Sequence, residues 1–187
     1  MSYALVESPH LISVEEYLAT EPDSPVKREY VAGHVYAFAG GSFPHNRLGA
    51  RLIQLLGPAA DEAGCAIAGS DHLLRAARNL YYYPDVTVIC DEDGVDGRIT
   101  IKPCLIAEVL SPSTEATDRR EKLVAYLNLP SLQTYLILYQ DQRKIELHHR
   151  DANGEWQQLE CGPGEVFTVP CPGVELSVDA IYRGIVE

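Results

Sequence analysis

The order of segments predicts a mixed β-sheet with helices packed on it, an α/β or α+β domain, and three observations carry that expectation. Apolar residues recur with a helical period between Pro44 and Ala63 and again after Asp118. Runs rich in β-branched and aromatic residues, above all "LYYYPDVTVIC" and "CLIAEVL", lie between those segments. A hairpin-like pair, "QTYLILYQ" and "KIELHHR", follows them. With 187 residues, 46% hydrophobic and 22% charged, the chain has the size and composition of one folded domain spanning residues 1–187.

Each element has its own local signal. "SVEE", from Ser13 to Glu16, has the form of a capping box and opens a short helix that runs to about Ala19. "REYVAGHVYAFAG" reads as two short strands around a turn at Ala32-Gly33. Leu48, Leu52, Ile53, Leu55 and Leu56 give the Pro44–Ala63 segment its apolar stripe, and Gly57-Pro58 is expected to kink or break it. "CAIAG", "DHLLRAA" and "LYYYPDVTVIC" read as strands, the last two joined by a turn at Arg78-Asn79. In the last of them Tyr81, Tyr82 and Tyr83 pack on alternating faces.

A strand from Cys104 to Leu110 leads to a helix from about Asp118 to Asn128. Asp118-x-x-Glu121 repeats the capping-box pattern, Leu123, Tyr126 and Leu127 form the apolar face, and Pro130 ends the helix. The later hairpin turns at Asp141-Gln142, and "EWQQLE" is a further strand. The stretch from Gly162 to Gly173, rich in proline and glycine, is expected to be a meandering edge.

Composition narrows the function classes. No apolar run approaches the roughly 20 residues of a membrane helix. The N-terminal "MSYALVESPHLISVEEYL" lacks the basic and continuous apolar regions of a secretory leader, so the expected address is the cytoplasm, with no membrane partner. Five cysteines at wide spacings with no CxxC argue against a zinc knuckle or a disulfide framework, and leave Cys90 and Cys104 as small buried thiols. A net charge of −12 disfavours tight non-specific binding to polyanions. Basic residues occur in small groups at Lys27/Arg28, Arg47/Arg51, Arg75/Arg78 and Arg119/Arg120/Lys122, which leaves room for a local basic groove.

The chemistry is concentrated in two strands. Asp85 follows Pro84 inside an aromatic and β-branched run, and Glu108 sits in an apolar one. Burying a lone charge costs several kcal/mol, and two neighbouring carboxylates repel each other. A divalent cation held by oxygen ligands from adjacent strands removes both objections and stabilises charge on a phosphoryl oxygen. Lys122, early in the following helix, is placed to reach back and stabilise a pentacoordinate phosphate. Plainer roles exist for each residue. Asp85 suits a strand-end carboxylate bonded to backbone amides, and Lys122 suits an i,i+4 partner of Asp118. Two acids also serve glycosidases, but a single tryptophan, Trp156, provides no aromatic platform for sugars.

"PDV" at Pro84–Val86, "EVLSPST" at Glu108–Thr114, and then Asp118, Lys122 and Tyr126 resemble the Uma-two family of endonuclease-like proteins, part of the PD-(D/E)XK or restriction-endonuclease-like superfamily. The likeness includes "EYVAGHVYAFAGGSFPH" from Glu29 and "YLNLPSLQTYLILYQDQRKIELHHR", and covers roughly residues 10 to 185. It implies an α/β restriction-endonuclease-like fold, a mixed central sheet flanked by helices with added hairpins. It also implies a divalent-metal-dependent endonuclease acting on DNA, with Asp85, Glu108 and the Val109 carbonyl holding Mg²⁺ or Mn²⁺ and Lys122 assisting. Glu29 resembles an extra acidic residue of the family; its alternative is a surface charge on a short strand.

The superfamily places a lysine two residues after the acidic residue, where this chain has Leu110, so Lys122 stands as a relocated equivalent. His45 matches a family position at a helix start, and by itself reads as a helix N-terminal residue with a local hydrogen bond. His72, His148 and His149 have no such support, and His148 and His149 point to opposite faces of a strand. Gly40-Gly41 reads as a turn. Analogy with restriction enzymes implies a homodimer with one site for each DNA strand. The alternative is a catalytically inactive nuclease-fold protein acting as a binding or interaction module, which suits the displaced lysine and the acidic composition.

Overall fold

The computed structural model describes residues 3–5, 11–38, 41–110 and 118–186. Strand β1 (Tyr3–Leu5) is followed by helix α1 (Val14–Thr20), the hairpin β2 (Arg28–Val31) and β3 (His34–Phe38), and the long helix α2 (Phe43–Ala63). Next come β4 (Ala66–Gly69), β5 (Leu73–Ala77), β6 (Leu80–Tyr82), β7 (Val86–Ile89), β8 (Val95–Asp96), β9 (Ile99–Thr100) and β10 (Leu105–Leu110). A π-helical turn over Asp118–Lys122 runs into α3 (Leu123–Leu127). Strands β11 (Thr134–Tyr139), β12 (Ile145–Arg150), β13 (Trp156–Cys161), β14 (Val166–Val169) and β15 (Val174–Ser177) follow, and then helix α4 (Val178–Tyr182).

Local chemistry accounts for the boundaries. The Ser13 hydroxyl accepts from the Glu16 amide at 3.1 Å and starts α1. Ala32 and Gly33 both adopt positive φ, 49° and 98°, as a two-residue hairpin turn with the twist of its strands requires. Helix α2 is capped at Ser42 and ends at Gly64, left-handed at φ 68°. Contrary to expectation, α2 passes through Gly57-Pro58 as one helix. Pro58 lies on the exposed face, where water can take the carbonyl its missing N–H leaves unbonded.

The run "LYYYPDVTVIC" is split at Pro84 into β6 and β7, which belong to different sheets. Proline cannot donate to a ladder, so pairing stops there and the chain changes sheet. One sheet has the order β1-β3-β2-β6-β5-β9-β8, the other β13-β12-β11-β10-β7-β4. The second is mixed: β10 is parallel to β11 and antiparallel to β7.

Burial follows the two-residue period of the strands. Leu105, Ala107 and Val109 of β10 pack with Leu48, Leu52 and Leu56 of α2. Ile106 and Leu110 pack with Ala125 and Tyr126 of α3. Glu108 therefore shares the α3 face. Tyr82 belongs to that face as well, while Tyr81 and Tyr83 join Tyr17 of α1 and Tyr30. At fully buried positions such as Leu48 and Leu52, each side chain contributes about 1.5–3 kcal/mol of transfer free energy.

Two further expectations are corrected. The proline- and glycine-rich tail is not a loose edge, because β14 and β15 pair and their Phe167, Val169 and Leu176 enter the core beside Ile181 and Tyr182 of α4. Proline and glycine mark its turns, and the apolar residues between them do the packing. The cysteines also differ: Cys65–Cys90 and Cys104–Cys171 are disulfides, and Cys161 is the buried free thiol. Sequence separations of 25 and 67 residues hid partners that the sheet brings together. Cys90 itself is exposed, not a buried thiol.

Candidate functional site

Both sheets deliver carboxylates to one buried place. Glu29 comes from β2 of the first sheet, Asp85 from the three-residue link between β6 and β7, and Glu108 from β10 of the second. Relative exposures are 2%, 6% and 2%, so none of them is a surface charge. The β7–β10 ladder pairs Val86 with Ala107. Asp85 and Glu108 are the residues next beyond that pair, one on each side of the seam between β7 and β10.

Lys122 joins them. Its ammonium lies 3.1 Å from Glu108 Oε1 and 3.2 Å from Glu29 Oε1, and 5.5 Å above the Tyr82 ring. Glu29 Oε1 also accepts from the Tyr83 amide at 3.0 Å. The Tyr126 hydroxyl donates to Glu108 Oε1 at 2.9 Å. Burial first, and then the Glu108 charge, hold the Tyr126 phenol well above its ordinary pKa, so it remains a proton donor. Lys122 and Tyr126 are four residues apart at the start of α3 and share its inner face. The Asp118 side chain of the expected cap, residues 111–114 of "EVLSPST", and Gly40 of the expected turn lie outside the described residues.

Asp85 is held from the other face. Its Oδ2 accepts from the Val109 amide at 2.8 Å and lies 3.2 Å from His45 Nε2. The plainer role considered for Asp85, a carboxylate bonded to a backbone amide, is thus present as well. A strand residue directs its N–H and C=O to the same edge, so the Val109 carbonyl is directed to the side where Asp85 sits. His45 is buried in the first turn of α2, where the Ser42 hydroxyl accepts from its amide at 3.2 Å. The helix N-terminus adds partial positive charge near Asp85. Gly41 is required here, because a Cβ on it would collide with the His45 ring.

Sequence reasoning placed His45 at a helix start that matches a family position, and Tyr126 on the apolar face of its helix and in the family motif, without bringing either to a carboxylate. The available signals were the proline-led helix start in "SFPH" and the i,i+4 spacing of Lys122 and Tyr126. Leu110 is buried on the same strand face as Glu108, so Lys122 approaches Glu108 from the helix that covers that face. His148 does not join the site; it stacks on Tyr135 at 5.9 Å. Several of the basic groups are committed internally. Lys27 pairs with Asp71, Arg28 with Glu21, and Arg47 and Arg51 donate to the carbonyls of Gly184 and Ala180.

Among the described side chains, three buried carboxylates face one lysine and one histidine. Removing one member of such a pair typically costs about 3–5 kcal/mol, because the remaining buried charge loses its partner. Carboxylate oxygens are hard donors of the kind that hold Mg²⁺ or Mn²⁺. Among the described residues no helix is long and apolar enough to cross a membrane.

Comparison with known proteins agrees with this arrangement of elements. The chain is 38% identical over 176 residues to the uncharacterized protein slr1290 of Synechocystis sp. strain PCC 6803, covering 93% of each. It is 34% identical over 157 residues to sll1609 of the same organism, covering 81% of this chain and 88% of that one. A crystal structure of "a putative nuclease belonging to DUF820" from Anabaena variabilis ATCC 29413 superposes with a TM-score of 0.75 at 16% identity, over 91% of this chain and 97% of that one. The fold is thus the α/β fold of that structure, with mixed sheets and flanking helices. Residues 14–179 match the profile of the Uma2 family, described as "Putative restriction endonuclease", and the chain belongs to that family.

Proposed function

We propose that the chain is an endonuclease that hydrolyses DNA phosphodiester bonds with Mg²⁺ or Mn²⁺, using Asp85, Glu108 and the Val109 carbonyl as ligands and Lys122 as the assisting cation. The observation that carries this is the burial of Asp85 and Glu108 on neighbouring strand segments, with Asp85 bonded to the Val109 amide next to Glu108 and Lys122 3.1 Å from Glu108. Bound there, the ion supplies Lewis acidity toward a phosphoryl oxygen. Lys122 offers its ammonium to a developing negative charge on phosphate. Tyr126 fixes the rotamer of Glu108, His45 and the Val109 amide fix that of Asp85, and Glu29 holds the Lys122 ammonium in place. A homodimer would present one such site to each strand of a duplex.

The test is nicking of supercoiled plasmid by purified protein with Mg²⁺ or Mn²⁺, alongside calorimetric titration of the metals. Asp85→Asn and Glu108→Gln keep the side-chain shape, and each is expected to abolish nicking and metal binding. Lys122→Met is expected to lower turnover by at least tenfold while leaving metal binding largely intact. Wild-type protein that binds neither ion and nicks nothing would sink the proposal. Equal nicking by the wild type and all three variants would assign the activity to a contaminant.

An inactive relative serving as an interaction module is the second reading. It is favoured by the internal commitment of Lys27, Arg28, Arg47 and Arg51, which withdraws those side chains from a DNA-binding groove. It predicts the first of those two outcomes.

A further inference from the structure

Four of the five cysteines converge at one end of the six-stranded sheet. Cys65 immediately precedes β4, Cys90 immediately follows β7, and Cys104 immediately precedes β10. These strands are neighbours, and the register that pairs Ala66 with Ile89 and Val88 with Leu105 brings all three cysteines to the same end. Cys171 arrives from the turn between β14 and β15. The two bridges, Cys65–Cys90 and Cys104–Cys171, touch each other. Cys90 Sγ lies 3.1 Å from Cys171 Sγ and 3.5 Å from Cys104 Sγ. The sulfurs of Cys65, Cys90 and Cys171 all fall within 4.8 Å of one another.

Two independent disulfides have no physical need to sit in contact, whereas a tetrahedral thiolate site requires four sulfurs in one place. Zn–S bonds of about 2.3 Å in tetrahedral geometry separate the sulfurs by roughly 3.8 Å. Cys90 meets both sulfurs of the other bridge, at 3.1 and 3.5 Å, each within about 1 Å of that value. The positions are set by backbone: the Cys104 amide donates to the Val88 carbonyl at 2.8 Å, and the Cys65 amide to the Ala60 carbonyl at 2.8 Å. Soft thiolate ligands select Zn²⁺ over the hard ions suited to carboxylates.

We propose that Cys65, Cys90, Cys104 and Cys171 are the four ligands of a structural Zn²⁺ in the reduced chain. Binding releases four thiol protons and forms four Zn–S bonds, leaving no open position for substrate. Two equivalents of a small disulfide oxidant would convert the four thiolates into the two bridges. That step takes up four protons and releases Zn²⁺ and four reagent thiols. The site lies at the start of β10, whereas Glu108 lies near its end, so the two metal chemistries are separate. The zinc would fasten the β14–β15 tail to the central strands.

The test uses the whole chain kept in a phosphine reductant, exposed to Zn²⁺ and freed of excess. Metal content, native mass and thiol reactivity are then measured, with Co²⁺ as a spectroscopic substitute. One zinc per chain is expected, with four thiols unreactive until a chelator is added and a thiolate-to-cobalt charge-transfer band with Co²⁺. Cys65→Ser and Cys171→Ser should each lower zinc affinity at least a hundredfold, while Cys161→Ser retains it. Reduced wild type that takes up no zinc from a micromolar free-zinc buffer overturns the proposal. So does a Cys171→Ser chain that is folded by circular dichroism and still binds zinc with unchanged affinity. The wild-type measurement decides the matter even if a variant fails to fold.

Discussion

His45 reaches Asp85 because the Ser42 cap and the proline after Phe43 fix the first turn of α2, and because Gly41 leaves space for the imidazole. Groups that orient a metal ligand typically matter by 10–100-fold. His45→Ala is therefore expected to weaken Mn²⁺ binding by about that factor in calorimetric titration. Unchanged affinity would show that the Val109 amide alone orients Asp85. At this scale the sequence was legible where burial made a charge anomalous. Asp85 and Glu108 sit among aliphatic and aromatic residues, so their need for partners is visible in the string. Glu29 carries no such flag on a short strand, and its burial beside Lys122 emerges only when β2 pairs with β6. The contact of His45 with Asp85 was hidden for the same reason, since the two are forty residues apart.

Helix α2 spans Phe43–Ala63 with a proline inside, and its inner face is held by Leu48, Leu52 and Leu56. Packing on that face outweighs the local cost of Pro58, about 3 kcal/mol relative to alanine in a helix interior. Pro58→Ala should therefore raise the unfolding free energy by about 1–3 kcal/mol, because restoring the helical hydrogen bond outweighs the extra freedom of the unfolded chain. Urea denaturation reads this directly; a loss of stability would mean the proline is accommodated by a distortion the core needs. Elements with a strong local signal, such as the apolar runs of β10 and β11 and the capping box of α1, were readable from pattern alone. The β6–β7 division and the tail were not. A proline in a strand-like run signals a discontinuity without saying that the next strand joins another sheet, and prolines and glycines in the tail mask the apolar residues between them.

Over the whole molecule, acidity and burial combine into a pH dependence. Desolvation on β12 pushes the His148 imidazole below its ordinary value of 6.5, outweighing the opposing charge of Glu146. Among the described residues its Nε2 is buried without a hydrogen-bond partner, so protonation there gains nothing. The folded chain therefore binds this proton less readily than the unfolded one. The contribution to stability is fully present above pH 6.5 and is lost as the pH falls through the lower folded value. Urea midpoints measured from pH 7.5 down to 5 should fall over that range, with His148 titrating below 6.5 by NMR. A histidine titrating at or above 6.5 would contradict the burial argument. The overall architecture was visible in the order of segments, and the family resemblance sharpened it. What composition could not reveal is where the basic side chains go, because Arg47 and Arg51 spend their donors on carbonyls more than a hundred residues away.

The link of three residues between Tyr82 and Val86 has a consequence best put as parity. Strand side chains alternate, so adding or deleting a single residue there would move everything after it to the opposite face until the register recovered. Val86 and Val88 would leave the α2 core, and the carboxylate would no longer meet the strand that carries Glu108. The segment works as a counter: its length, as much as its composition, keeps the two sheets in step.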